Sequence, residues 1–292
     1  MTRRQALDHA AARFVAAGIS SARLDADLLL IHVLGVERVE LRLRPDQVVP
    51  DDAERRFLEL VEMRASRVPI AQILGSTEFW SRRFVVSADV LTPRSETEGV
   101  VQVVLDLLRG TERPSAVLAD IGTGSGCLAV TLALELPQAT VHAVDLSPAA
   151  LQVARRNARE LGAEARVRFH EGSFCEPLVG CVSPGSVDVV VSNPPYVRPS
   201  EEPTVDPEVL REPRMAVFCG EQPSDVYAEI AEQAAPLVRP GGYIVFELPE
   251  DPAGEIRTTL HALSAWSVVN VLDDLAGTPR VLVACRNDAA TG

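Results

Sequence analysis

Six residues, Val187-Asp188-Val189-Val190-Val191-Ser192, run straight into Asn193-Pro194-Pro195-Tyr196, and this junction restricts the fold more than any other stretch. A β-branched run with little polar interruption marks a strand covered on both faces, hence a parallel sheet sandwiched between helices. Two consecutive prolines fix φ and remove two N–H donors, so the ladder cannot continue past Asn193. The strand therefore stops at the carboxyl edge of the sheet, where open α/β sheets bind their ligands. There the tetrapeptide offers a side-chain amide oxygen, free backbone carbonyls and an aromatic ring. Asn193 Oδ1 and the Pro194 carbonyl can each accept one N–H, and Tyr196 can lie against a plane. That set suits an NH2 group on a planar system; the same residues also fit an ordinary Asn-Pro turn.

The rest of the chain repeats strand and helix. Val117–Ile121 reads as a strand followed at once by Gly122-Thr123-Gly124-Ser125-Gly126 and a helix from Cys127 to Glu135. Glycines let the backbone approach a ligand, and N–H groups at a helix start can hold an anion. Thr140–Val144 is a second strand ending in Asp145, about twenty positions past the loop, where nucleoside-binding folds place a ribose-diol acceptor. The spacing is G-x-G-x-G, which favours a nucleoside carrying a carboxylate over a dinucleotide. Val167–His170 is a third strand. Phe174, just beyond it, can pack on a purine or serve as plain core. Arg198–Arg214 is a polar loop, 224–237 a helix, Arg239-Pro-Gly-Gly242 a tight turn, and Tyr243–Leu248 a fifth strand. A helix from Pro252 and strands at Trp266–Leu272 and Arg280–Cys285 close the pattern. The alternation predicts a doubly wound α/β domain from about residue 90.

Before it, apolar residues recur at three and four over Arg3–Gly35 and again over Asp51–Ser66, predicting a small helical bundle. Ser20-Ser21 is placed to cap its second helix and Gly35 to stop it. Arg67–Gly75 reads as a connector, and Thr77–Trp80 with Arg83–Ser87 as a hairpin. The expected division is 1–75 helical domain, 76–90 hairpin linker, and 91–292 sheet domain. Leu91-Thr-Pro-Arg94-Ser-Glu-Thr-Glu98 opens a helix; Arg94 can place a guanidinium at a site or sit in a plain N-terminal turn.

Composition excludes several classes. The chain has 292 residues, 47% hydrophobic and 24% charged, enough for a core needing no disulfide or metal staple. Its formal net charge is −13, and every basic residue is Arg. Non-specific grip on a phosphate backbone needs a basic face, so direct nucleic-acid binding is not expected. No apolar run reaches a membrane span, the five cysteines form no CxxC pair, and the five histidines have no ligand spacing. The expectation is a cytoplasmic, metal-free protein with reduced thiols.

Taken together, the motifs resemble those of the bacterial protein-(glutamine-N5) methyltransferases that modify peptide-chain release factors, almost end to end. Ala22–Leu30 with Leu34-Gly35 is similar to that family's helical domain, and Arg67-Val-Pro69, Ile73-Leu-Gly75, Glu78-Phe-Trp80 and Leu91–Arg94 to its linker. Asp120–Gly126, Asn193–Tyr196, Pro240-Gly-Gly242 and Asp274-Leu-Ala-Gly277 with Arg280 are similar to its catalytic signatures. The resemblance implies a Rossmann-like methyltransferase fold with a seven-stranded, mostly parallel sheet, and S-adenosyl-L-methionine as cofactor. It assigns cofactor binding to Gly122, Thr123, Gly124, Ser125, Gly126, Asp145, Phe174 and Asn193. It assigns catalysis to Asn193, Pro194 and Tyr196, and substrate binding to these with Pro195 and Arg94. It also implies a release factor as protein partner, through the glutamine of a Gly-Gly-Gln loop; separately, a monomer is expected. Ser95 stands where the family usually has Pro, Ser173 where it has Asp, and Glu247-Leu248-Pro249 where it has Glu-x-Gly; Cys219–Pro223 lacks an expected glycine. A nucleic-acid amino-methyltransferase would share Asn193–Tyr196 but needs a basic face, and a cofactor-binding module without catalysis is the other alternative.

Overall fold

The computed structural model describes residues 1–109, 115–250, 253–274 and 277–288. The chain forms two compact units, Met1–Ser76 with Asp206–Arg211, and Thr77–Val205 with Glu212–Gly292.

The first unit holds α1 (Arg3–Ala16), α2 (Ala22–Leu34), α3 (Arg38–Leu43), α4 (Asp51–Ala65) and α5 (Ile70–Leu74). Ala6, Ala10, Phe14, Leu29, Leu30, Phe57 and Leu60 close its core. Thr2 and Gln5 form a reciprocal capping box at the start of α1, and Gly35 ends α2 at φ 62. Ser21 does not cap α2 as expected: its hydroxyl donates to the buried Asp25 carboxylate, which also accepts from Arg64 Nε at 2.7 Å. The sequence pattern missed α3 and α5, because helices of one to two turns show no readable period.

The expected boundaries also need correction. Asp206–Arg211 packs with the helical unit because Glu208 pairs with Arg64 at 2.9 Å and Arg67 at 2.5 Å, and Arg211 donates to the Ser66 carbonyl. The hairpin, β1 (Ser76–Phe79) and β2 (Arg82–Val85), belongs with the sheet unit, because Phe79 and Phe84 are buried in that core. Its turn residues Trp80 and Ser81 both have positive φ without a glycine. Trp80 N–H bonds Glu98 at 2.6 Å, and Trp80 Nε1 and Arg82 both reach Glu135.

After α6 (Glu98–Leu108) come β3 (Val117–Ile121), α7 (Cys127–Glu135), β4 (Thr140–Asp145), α8 (Pro148–Glu160), β5 (Val167–Glu171) and β6 (Val187–Ser192). Then follow α9 (Arg214–Val217), α10 (Pro223–Ala234), β7 (Val238–Glu247), α11 (Ala253–Ala262), β8 (Trp266–Asp273) and β9 (Pro279–Arg286). The sheet order is β5-β4-β3-β6-β7-β9-β8, parallel except where β9 runs against β7 and β8. This is the expected seven-stranded, mostly parallel α/β sheet. All six residues of β6, the middle strand, are buried, as its continuous apolar run requires.

Residues 239–242 are not a turn before the fifth strand but an excursion within it. Pairing passes from Val187–Val238 to Val189–Tyr243, and Arg239 Nε bonds Asp188 Oδ1 at 2.7 Å to hold the four residues out. A Cβ at Gly242 would lie 2.9 Å from the Asp188 carbonyl. The Arg198–Arg214 stretch folds into short 3-10 turns at Pro199–Thr204 and Val209–Arg211, with Arg214 paired to Glu202 at 2.7 Å. Pro252 and Leu275-Ala276 lie outside the described residues.

One buried amide ties hairpin to sheet. Asn157 on α8 accepts Val85 N–H at 2.7 Å and donates to the Val85 and Ser125 carbonyls at 2.9 and 2.8 Å. Truncating it strands one buried and two half-buried backbone groups, so Asn157→Ala is expected to cost about 2–4 kcal/mol of unfolding free energy. Urea denaturation checks this, since the midpoint should fall at unchanged slope.

Candidate active site

The chain enters the sheet at β3, works outward to β5, and returns to β6 on the other side of β3. That reversal is the switch point where a crevice opens beyond the strand ends. Gly122 leaves β3 and Asn193 leaves β6 there, one step past the paired residues Ile121 and Ser192. A cavity of ≈ 290 Å³ occupies the crevice, lined by Gly122, Gly124, Asp145, Ser173, Phe174, Asn193 and Pro195, with Val90, Leu91, Met215, Phe218 and Val226 as apolar wall. A smaller recess lined by Arg94, Thr97, Asp120, Thr123 and Ser125 shares Leu91, Gly122, Gly124 and Asn193 with it.

The loop's glycines answer a backbone demand. Gly122, Gly124 and Gly126 have φ of 73, 54 and 80, and Gly122 and Thr123 both donate to the Val144 carbonyl at 2.9 Å. A Cβ at Gly122 or Gly124 would meet no atom within 4 Å, whereas one at Gly126 would lie 3.0 Å from Ala154. Two glycines thus leave room for a ligand and the third lets α7 pack on α8.

Asp145 accepts Gly124 N–H on Oδ2 and Ser147 N–H on Oδ1, both at 2.8 Å. Burial raises its pKa against those hydrogen bonds. Behind it lies Asp120, to which sequence reasoning assigned no role. Its Oδ2 accepts the Thr123 hydroxyl at 2.6 Å and Ala129 N–H at 3.1 Å, so the chain's own carboxylate occupies part of the α7 N-terminus. Its Oδ1 is buried with no partner. Burial first, then the nearby Asp145 charge, pushes Asp120 up to about 7. The available signal was an acidic residue inside an otherwise apolar strand, directly before the glycines.

Two carboxylates raised by burial, one lining the cavity and one the adjoining recess, favour a cationic ligand. They also fix a pH dependence. Asp120 in the unfolded chain ionises near 3.8, while the folded protein holds the proton until about 7. The ligand-free protein therefore loses stability from this group as pH rises between those values. Asp120→Asn should gain stability relative to the parent across that window, by on the order of 4 kcal/mol at its upper end. Thermal unfolding at pH 5 and pH 8 reads the difference; an equal gap at both values contradicts it.

Asn193 Nδ2 donates to Thr97 Oγ1 at 3.4 Å, and no described residue donates to its Oδ1. Thr97 begins α6 without a side-chain capping bond and is 2% exposed. Glu247, which ends β7, is pushed up to about 7 by burial, with the nearby Thr97 hydroxyl opposing that rise. Sequence reasoning noted Thr97 and Glu247 only as family likenesses and departures. Pro194 is buried, and Tyr196 is half-buried, lining neither cavity. Burial raises the Tyr196 pKa, aided by Glu247 and opposed by Arg94 and Arg280. Arg94 reaches the recess, but its Nη2 is held by Glu212 at 2.6 Å, and that carboxylate also accepts Thr92 N–H at 3.0 Å. Phe174 lines the cavity with φ 43, a left-handed backbone that turns β5's exit toward the ligand space. The predicted residues thus converge, apart from Pro194 and Tyr196, which line neither cavity, and Gly126, which packs against Ala154 instead. No described helix is long and apolar enough to cross a membrane, and no described cysteine forms a disulfide.

Residues 5–75 match the family described as PrmC N-terminal domain, and residues 113–271 the Methyltransferase domain family. A protein named release factor glutamine methyltransferase from Moorella thermoacetica is 39% identical over 288 residues, covering 99% of this chain and 100% of its own length. A Deinococcus radiodurans protein of the same name is 39% identical, covering 98% and 99%. One from Koribacter versatilis is 40% identical, covering 97% and 98%.

Proposed function

The chain belongs to the release factor glutamine methyltransferase family, and on that premise we propose how its residues divide the work of moving a methyl group onto an amide nitrogen. The enzyme transfers methyl from S-adenosyl-L-methionine to the side-chain amide of a release-factor glutamine. The residues present fit the cofactor: a nucleoside in the cavity meets Asp145, the open faces of Gly122 and Gly124, and the Phe174 ring, with Asp120 bordering the adjoining recess. When bound, it supplies an electrophilic methyl on a sulfonium.

Asn193 carries the reading, because its amide nitrogen is engaged by Thr97 while its oxygen stays available beside the cofactor space. An amide nitrogen is a poor nucleophile, its lone pair being delocalised into the carbonyl. In our reading Asn193 Oδ1 and the Pro194 carbonyl accept the two N–H groups of the glutamine and turn the nitrogen's lone pair toward the methyl. Tyr196 and Arg94 border the glutamine from the Glu247 side. Orientation of this kind supplies roughly 7–11 kcal/mol in favourable cases, and the two oxygens face positive charge growing on nitrogen. The methylated amide cation sheds its proton readily, so no strong base is assigned. The glutamine is proposed to be that of a Gly-Gly-Gln loop, and the enzyme to act as a monomer in the cytoplasm, where such a translation factor works.

Offering radiolabelled cofactor with release factor, ribosomal protein and nucleic acid side by side tests this. Label should enter the release factor. Label in nucleic acid alone, or in none of the three, contradicts the reading.

A further inference from the structure

Glu212 lines neither the cavity nor the recess, yet it ties their walls together. It is 4% exposed. Its Oε1 accepts Thr92 N–H at 3.0 Å, and its Oε2 accepts Arg94 Nη2 at 2.6 Å. Thr92 and Arg94 line the recess with Asn193, and Leu91 lines both spaces. On its other side Glu212 is joined to Pro213, whose ring holds φ at −59 at the start of α9. Pro213, Met215 and Phe218 line the cavity. Val197, next after Tyr196, closes that segment: its N–H bonds the Val217 carbonyl at 3.1 Å and its carbonyl accepts Cys219 N–H at 3.0 Å. One buried carboxylate thus fixes the turn before α6 to the wall that follows Glu212.

A carboxylate taken out of water needs a cation, and Arg94 is bonded to it. Arg94 has donors to spare. Its guanidinium carries five N–H groups, one is spent on Glu212, and no second acceptor bonds it among the described residues. Its side chain is 38% exposed, so the Glu212 bond is what holds it at the recess.

We infer that Glu212 is a positioning residue, which holds the Arg94 guanidinium so that its remaining N–H groups meet backbone carbonyls of the substrate loop beside the glutamine. Chemistry selects that acceptor. A donor on the glutamine's own side-chain carbonyl would draw the nitrogen's lone pair further into the amide and oppose methylation. Carbonyls next to glycines are unshielded by side chains and can take a planar fork. A fork already held by a buried partner loses little further freedom when substrate arrives. Without Glu212 that ordering falls on the binding step, so the loss appears in substrate affinity and not in methyl transfer itself.

The inference rests on the proposed transfer to a release-factor glutamine. Two readouts test it on the full chain: steady-state kinetics with S-adenosylmethionine and release factor, and titration of release factor in the presence of S-adenosylhomocysteine, which needs no turnover. Glu212→Gln keeps an oxygen for Thr92 N–H but turns an NH2 toward Arg94, so donor meets donor. It should raise KM and the release-factor Kd about ten-fold, the size of one hydrogen bond to a charged group, with kcat and cofactor affinity nearly unchanged. Arg94→Lys keeps the ion pair, and with it the fold, but lacks the planar fork, and should raise KM by a similar factor. The double variant should be no worse than either single one, because both remove the same contact. Where the parent methylates release factor, three results overturn the inference alone. They are a parental KM in Glu212→Gln or Arg94→Lys, a roughly hundred-fold rise in the double variant, and a fall of kcat and cofactor affinity in step with KM. A parent that leaves release factor unlabelled overturns the inference together with the proposed function.

Discussion

Asn193→Ala is expected to lower turnover by about 10²–10³-fold, the range seen when one preorganised polar group facing the transition state is removed. The dissociation constant for S-adenosylmethionine should stay nearly unchanged. The two effects should separate because Asn193 is one lining residue among several, and Asp145, Phe174, Gly122 and Gly124 line the cavity independently of it. The amide oxygen acts on a nitrogen that gains positive charge during transfer, so its contribution grows between ground and transition state. Single-turnover kinetics together with calorimetric titration of the cofactor give both quantities. Equal loss of turnover and cofactor affinity would mean that Asn193 holds the crevice together and does not orient the amide.

The second large effect lies on the cofactor side. Each Asp145 oxygen accepts one backbone N–H, from Gly124 and Ser147, and keeps a second lone pair for a ribose hydroxyl. Hydrogen bonds to a charged group contribute about 1.5–3 kcal/mol each, so Asp145→Ala should weaken cofactor binding by about 10²-fold. Turnover at saturating cofactor should fall far less, because the ribose lies away from the reacting atoms. Collapse of kcat at saturation, with affinity retained, would contradict this assignment. The prediction is the mirror image of the first, and the pair locates the two halves of the site independently.

Local chemistry was readable before any coordinates. β6 is legible because a strand buried on both faces must be apolar throughout, and its end because two prolines cannot be paired. The glycine loop is legible because three positive φ angles at alternating positions leave few other residues. Asp145 is legible from its register at the tip of the next strand. What stayed hidden depends on contacts between distant segments. Thr97 lies 96 residues from Asn193, and Glu247 arrives from a strand whose neighbour is set by topology, not by sequence order. Glu208 joins the helical unit through ion pairs to Arg64 and Arg67, and no periodicity announces a pairing 144 residues long. Asp120 was visible as a residue but not as a vacant acceptor, because an orphaned oxygen exists only once its surroundings are packed. The family likeness supplied cofactor and substrate; the geometry supplies reasons for the residues that hold them.

A crystal structure of the enzyme with S-adenosylhomocysteine and a glutamine-bearing release-factor peptide tests the central claim most directly. The glutamine NH2 should lie about 2.9 Å from both Asn193 Oδ1 and the Pro194 carbonyl oxygen, with its nitrogen facing the sulfur. A glutamine bound elsewhere, or an Asn193 amide that meets it with Nδ2, would contradict the account.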